Sequence, residues 1–221
     1  TVEAQARRVL DGLPALSERH VAVVGATGSV GTAVSRLLAR SGDVGRLTLV
    51  ARTAPRLQAL AEDVGRHTPT LTGTDACAVA DADLVVLLTA SADCVLGPDH
   101  LAPGAVVLDA TQPRNTSPAL LTQRPDVTVI DGGIVEIPSL RIVGGDIGLP
   151  DGRAYACFAE TALLALTGHR GHFAISAPGL DLVERTRDLA AEMSHLGFAP
   201  AAPTCFGRPL EARMPSARAA A

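Results

Sequence analysis

One run, Val21-Ala22-Val23-Val24-Gly25-Ala26-Thr27-Gly28-Ser29-Val30-Gly31, constrains this chain more than any other stretch. His20–Val24 is short and apolar, the pattern of a buried strand, and Ser29 to Arg40 places Val30, Val34, Leu37 and Leu38 at helical spacing. Three glycines lie between. Gly25 permits a tight turn, Gly28 lets a pyrophosphate approach the backbone, and Gly31 lets the helix pack close to the strand. The helix start then offers free N–H groups and a positive dipole end to an anion, with Val30 in the same first turn. Thr27 and Ser29 add hydroxyl donors. Glycines of this kind also occur in plain strand-helix turns; the strand before and the amphipathic helix after weigh against that reading. The ligand implied is a dinucleotide.

The rest of the chain repeats the alternation. Arg46–Ala51 reads as a second strand and Pro55–Val64 as a helix, followed by apolar runs at Asp83–Thr89, Ala105–Asp109 and Val127–Ile130. Strands alternating with helices predict an α/β fold, a doubly wound parallel sheet of the Rossmann type. The reading gives a leading helix in residues 1–18, a Rossmann-type NADP-binding and catalytic domain in 19–200, and a disordered Ala-, Pro- and Arg-rich tail in 201–221. Residues 134–150 read as a loop or hairpin, Ala154–Thr167 as a helix introduced by Pro150 and Asp151, and Leu180–Leu196 as another ending at Gly197.

The end of the second strand selects the cofactor. A carboxylate there would hold a ribose 2′-hydroxyl, but the chain reads Val50-Ala51-Arg52-Thr53, with Arg56 one helical turn on. Guanidinium groups suit a 2′-phosphate, so the cofactor expected is NADP(H). A solvated surface charge is the other reading of Arg52. Further contacts are expected at the carboxyl ends of the later strands: Thr89, Ala90 and Ser91, then Asp109, then Gly132 and Gly133.

Composition removes several chemistries. The 19 basic residues are all Arg, so no Schiff base, Walker lysine or Tyr-x-x-x-Lys pair exists. The arginines are scattered and aromatics scarce, which argues against a nucleic-acid partner. No apolar run reaches a membrane span and no signal peptide opens the chain, so the expected location is the cytoplasm. Cys77, Cys94, Cys157 and Cys205 are too widely spaced to suggest a metal site.

Cys157 falls near the first turn of the helix after Arg153, where unpaired N–H groups favour the nucleophilic thiolate form. Glu160 follows at i+3 on the same side and could cap the helix or transfer a proton. A cysteine between Ala156 and Phe158 is also the pattern of a small buried hydrophobe, and on the residues alone that reading is the stronger.

Several segments together resemble the C-terminal part of the long-chain acyl-(acyl carrier protein) reductases, over about Thr1 to Phe198. They are 21–31, Leu49-Val-Ala-Arg52 with Arg56-Leu57, Arg124-Pro-Asp-Val127, Asp131-Gly-Gly-Ile-Val-Glu136, Tyr155-Ala-Cys-Phe-Ala-Glu-Thr161 and His195-Leu-Gly-Phe198. The segment around Cys157 is the most specific. The resemblance implies that Cys157 takes an acyl group as a thioester, that NADPH reduces it to an aldehyde, and that the partner is an acyl thioester on acyl carrier protein or coenzyme A. It also implies a further N-terminal domain, expected either in a longer chain or from a partner chain. Gly168-His169-Arg170-Gly171-His172 departs from that family's pattern, and its histidines read as exposed polar groups. More distantly, the cofactor half resembles the domains of shikimate dehydrogenase and glutamyl-tRNA reductase, although shikimate-type chemistry needs a lysine. Two other functions remain open: a carbonyl-reducing NADP-dependent dehydrogenase without covalent catalysis, and a non-catalytic NADP-binding module.

Overall fold

The computed structural model describes residues 1–11, 19–91, 96–175 and 178–210. Six parallel strands form the main sheet: β1 (His20–Val24), β2 (Arg46–Val50), β3 (Thr70–Gly73), β4 (Leu84–Leu87), β5 (Val106–Asp109) and β6 (Thr128–Asp131). Their order is β3-β2-β1-β4-β5-β6. The chain winds outward from β1 in both directions, and Val24 lies level with Val50 on one side and Leu87 on the other. The crevice beyond the carboxyl ends of β1 and β4 is therefore the switch point where such sheets bind ligands.

Near-continuous Val and Leu in the central strands are what a sheet buried on both faces requires. Val21, Val23, Leu47, Leu49, Leu84 and Val86 pack on one face under α1 (Val2–Leu10), α2 (Ser29–Ser41) and α3 (Ala54–Val64). Ala22, Val24, Val85, Leu87 and Val107 pack on the other, against Val79, Leu96, Leu101 and Leu120 of shorter segments that include α4 (Ala119–Gln123). Each buried Val or Leu contributes about 1.5–3 kcal/mol of transfer free energy.

The second face is stitched by Arg124. Its guanidinium donates to the carbonyls of Pro98 (2.7 Å), Leu101 (2.9 Å) and Ala102 (3.0 Å) and pairs with Asp126 at 2.8 Å. The Arg124 hydrogen bond, joined by the Gly104 N–H, holds the Asp126 carboxyl far below the usual carboxylate range.

Beyond β6 the structure departs in part from the sequence reading. Of the loop or hairpin expected in residues 134–150, the hairpin is what forms, opening with β7 (Ile134–Glu136). This strand forms a small antiparallel sheet with β8 (Arg153–Tyr155) and β9 (Ala199–Pro200), in the order β8-β7-β9. Pro150 and Asp151 therefore lead into a strand, and the helix expected from Ala154 starts at Ala156 (α5, Ala156–Leu166). Then α6 (Leu180–Glu192) gives way to a 3-10 turn that closes at Gly197 in the left-handed region. At the other end the leading helix is seen over Val2–Leu10; residues 12–18 lie outside the described ones.

The expected disorder of 201–221 is corrected for 201–210. There β10 (Thr204–Cys205) and β11 (Arg208–Pro209) form a hairpin on β6. Its anchor is the buried carboxylate of Asp131, which accepts from the Thr204 hydroxyl (2.7 Å), the N–H groups of Phe206 (3.2 Å) and Gly207 (2.7 Å), and Arg114 Nε (3.0 Å). A buried carboxylate needs such partners, and the backbone around it is ordered in supplying them. Residues 211–221 lie outside the described ones.

Candidate dinucleotide and thiol site

The glycine turn is built as its spacing requires. The N–H groups of Gly25 and Ala26 both donate to the Val50 carbonyl, at 2.9 and 3.1 Å, tying the turn to the end of β2. Gly25 has φ +84°, and a Cβ there would lie 2.7 Å from the Leu88 carbonyl carbon. A Cβ on Gly31 would collide with the Gly25 carbonyl oxygen and lie 2.9 Å from the Ala26 Cα. Gly28 is the N-cap of α2 in extended conformation, and no side chain caps the helix. The Gly28 N–H is spent inside the turn, on the Gly25 carbonyl at 3.0 Å, so the unpaired N–H groups of the first turn open outward from Ser29 and Val30, both exposed, with Thr27 half-buried beside them. A cradle in which Cβ atoms do not fit, at a bare helix start, fits a dinucleotide pyrophosphate.

At the end of β2, Arg52 and Arg56 are exposed and make no ion pair with any described residue. Next to them a shallow depression of about 440 Å³ lies between Ala54, Pro55, Leu57 and Gln58 of α3 and Thr72, Gly73 and Thr74 at the end of β3.

After β4, the Ser91 N–H donates to the Thr89 hydroxyl at 3.1 Å, while Ala90 is exposed. Asn115 Nδ2 donates to the Ser91 carbonyl at 2.8 Å, clamping the loops after β4 and β5 together. Asp109, expected to contact the cofactor, turns its carboxylate into its own loop. Its carboxylate is buried and accepts from Thr111 N (3.0 Å) and Oγ1 (2.5 Å), Asn115 N (2.9 Å), and Thr116 N (2.9 Å) and Oγ1 (2.7 Å). An acceptor so occupied folds its own loop and has no lone pair facing the crevice. Gly132 is likewise explained internally: its N–H donates to the Asp109 carbonyl at 2.7 Å, and a Cβ would lie 2.9 Å from the Ala110 Cβ.

Gly133 is the junction to the thiol. It has φ +71°, its N–H donates to Gln5 Oε1 at 2.9 Å, and its carbonyl accepts the Ala156 N–H at 2.8 Å. The start of α5 thereby hangs beyond the carboxyl end of β6, at the same end of the parallel strands as the glycine turn that follows β1. Cys157 is the second residue of α5 and is exposed, which removes the buried-hydrophobe reading. Glu160 is exposed one turn on, with the Thr186 hydroxyl of α6 at 3.5 Å from Oε1. Of the other thiols, Cys77 is exposed, and Cys205 is half-buried with burial, then Asp131, pushing its thiol above the ordinary value. Cys94 lies outside the described residues. His169, expected to be exposed, is half-buried, its ring edge-on to Phe173 at 5.4 Å.

Sequence reasoning missed Gln5 and Asn115. Gln5 sits in an Arg-rich helix with no motif around it. Asn115 had a faint signal in the Thr and Asn residues clustered after Asp109.

Comparison with known proteins agrees with this architecture. The chain is similar to the long-chain acyl-[acyl-carrier-protein] reductase of Synechococcus elongatus, 31% identical over 192 residues, covering 85% of this chain and 54% of that protein. It is similar to the aminotransferase PigE of a Serratia species, 32% identical over 192 residues, covering 82% of this chain and 22% of that one. It thus spans about half the length of the first relative and far less of the second. Among solved structures, the ligand-free 5-ketofructose reductase of a Gluconobacter strain matches with a TM-score of 0.44 at 15% identity, over 60% of this chain and 52% of that one. Residues 5–131 match the family model of shikimate/quinate 5-dehydrogenase. With more than half of its length under that model and a dinucleotide cradle to accompany it, this chain belongs to the shikimate/quinate 5-dehydrogenase family and holds a nicotinamide dinucleotide, NAD(P)H.

Proposed function

We propose that this chain is the dinucleotide-binding and thiol-bearing part of an NADP-dependent reductase that converts an acyl thioester into an aldehyde. The observation that carries the reading is the exposed Cys157 in the first turn of a helix bonded to Gly133, at the same end of the parallel strands as the glycine cradle. The similarity to an acyl-[acyl-carrier-protein] reductase supports the substrate class. Shikimate-type chemistry needs a lysine and cannot be completed within this chain, whose basic residues are all Arg.

Each residue then has a task. The N–H groups at Ser29–Gly31 bind the pyrophosphate, with the Thr27 and Ser29 hydroxyls at hand, while Arg52 and Arg56 take the 2′-phosphate. The loop at Thr89–Ser91 and the Gly133 turn border the nicotinamide end. Cys157 attacks the thioester carbonyl as thiolate, a Cys157–acyl bond forms, and the carrier sulfur departs with the electron pair. Glu160, on the same helix face, supplies the proton that neutralises it. The nicotinamide, when bound, supplies hydride to the acyl carbon. Cys157 then leaves as thiolate and the aldehyde is released.

The test is intact-mass analysis after mixing the chain with a fatty acyl thioester in the absence of NADPH. An adduct of the acyl mass on Cys157, discharged when NADPH is added, is expected. NADPH turnover without an adduct would select direct carbonyl reduction, and binding with neither would select a non-catalytic module.

A further inference from the structure

We infer that Gln5 is a positioning residue for Cys157, acting through the two peptide groups that flank Gly133. The inference rests on the reading of Cys157 as the nucleophile and adds a residue 152 positions away in sequence. Gln5 is buried on α1, a helix otherwise fixed to the core through Val2, Ala6, Val9 and Leu10. The Glu3 carboxylate ties the same helix to Arg187 of α6 at 2.9 Å. From this firm support Gln5 Oε1 accepts the Gly133 N–H at 2.9 Å, and the Gly133 carbonyl accepts the Ala156 N–H at 2.8 Å. Ala156 is the first residue of α5 and Cys157 the second.

The relay passes through a backbone that has room to turn. Gly133 lies at φ +71°, and a Cβ added there would meet nothing closer than the Ala110 Cβ at 3.6 Å. A glycine in an open turn has several accessible orientations, so its peptide needs an external partner to hold one of them. Gln5 is the side chain that does so. Without its acceptor, the Gly133 N–H is left unsatisfied, the Gly132–Gly133 peptide turns to find another partner, and the accompanying change in Gly133 φ and ψ swings the next carbonyl, on the Gly133–Ile134 peptide, away from Ala156. The first turn of α5 then frays, and the N–H groups beside Cys157 lose their fixed direction toward its sulfur. Cys157 is exposed already. Fraying therefore adds no access, and a slower thiol reports lost alignment.

The experiment follows iodoacetamide labelling of Cys157 in the full chain by peptide mass spectrometry, with exposed Cys77 in the same sample as internal reference. Dinucleotide affinity checks the fold of each variant. Gln5→Met conserves volume and removes the acceptor; Gln5→Asn retracts the acceptor by one methylene and serves if Met is not tolerated. Either should slow Cys157 relative to Cys77 about two- to tenfold, the range expected for one lost hydrogen bond. Gln5→Glu keeps an acceptor oxygen at full reach and should restore most of the rate. An unchanged ratio in Gln5→Met or Gln5→Asn overturns the inference and leaves the covalent reading of Cys157 standing. A Cys157 that labels no faster than Cys77 in the unmutated chain overturns both.

Discussion

A Cβ on Gly31 would strike the carbonyl oxygen of Gly25, six residues earlier in the same strand-turn-helix unit. The obstacle is backbone, which cannot rotate aside as a side chain could. Gly31→Ala is therefore expected to destabilise the fold by about 2–4 kcal/mol and to abolish dinucleotide binding, because α2 must move off β1 to admit one methyl group. Gly28→Ala is the control. Its Cβ would lie 3.3 Å from the same oxygen, at a negative φ, so it should retain the fold and weaken cofactor binding only. Urea unfolding and NADPH titration of both variants test the contrast; equal stability of Gly31→Ala and the parent would contradict it.

Arg52 and Arg56 are exposed and without ion pairs among the described residues, so neither must be withdrawn from a partner before meeting a phosphate. NADPH should bind about 10- to 100-fold more tightly than NADH at moderate salt, the range of a charged hydrogen bond. Arg52→Asp should invert the order by repelling the 2′-phosphate and accepting from the ribose hydroxyl. Equal affinity for both cofactors in the unmutated chain is the result that counts against this.

At the opposite end of the sheet, His20 is buried with Nε2 2.7 Å from the Thr48 hydroxyl and Nδ1 3.0 Å from the Asp81 carbonyl. Burial holds its imidazole below the ordinary value; the nearby Arg46 guanidinium adds to this, while the Asp81 carbonyl and the Asp81 and Asp83 charges oppose it. The unfolded chain therefore binds a proton at His20 before the folded one does. Stability from this group is full above the unfolded value of about 6.5 and is lost as pH falls through the lower folded value, by at most about 1.4 kcal/mol per pH unit. Urea midpoints from pH 7.5 to 5 should fall, and His20→Gln should flatten the fall. An identical slope in the variant would assign it to other groups.

The main sheet was legible because its central strands are apolar and its first turn is a run of glycines. The edge strand Thr70–Gly73 was not, since a half-exposed strand of threonines has no apolar period to read. Ala154 and Tyr155 were taken into the helix because Ala154 and Ala156 have helical propensity, whereas pairing with β7 decides their conformation. The hairpin at 204–209 looks like an unstructured tail in composition, and only the three-dimensional position of the Asp131 carboxylate orders it. At the candidate site, the glycines, Arg52 and Cys157 could be named from local pattern. The loop bonds of the Asp109 carboxylate were not legible, because a carboxylate at a strand end looks the same in sequence whether it faces a ligand or its own loop. Gln5 could not be named at all, because its partner lies 128 residues away.

The four thiols give the last prediction. Cys157 should be alkylated by iodoacetamide fastest near neutral pH, for reasons that differ from thiol to thiol. Cys205 is half-buried and its thiol is pushed up by burial and by Asp131, and each unit that a thiol lies above ambient pH removes about tenfold of its thiolate. Cys77 is exposed like Cys157, but its N–H already donates to Asp75 at 3.0 Å in a short 3-10 turn, whereas α5 starts with no side-chain cap. Cys94 lies outside the described residues and follows the loop after β4, which makes it the competitor. Cys157→Ser should abolish the acyl adduct and aldehyde formation while NADPH affinity stays within about twofold of the parent, because the cradle at Gly25–Gly31 does not touch α5 through any hydrogen bond among the described residues. Cys94→Ser should retain both. If Cys94→Ser loses the adduct and Cys157→Ser keeps it, the nucleophile is the other cysteine. If both keep reducing activity, no thiol carries the acyl group and hydride transfer goes directly to a carbonyl substrate.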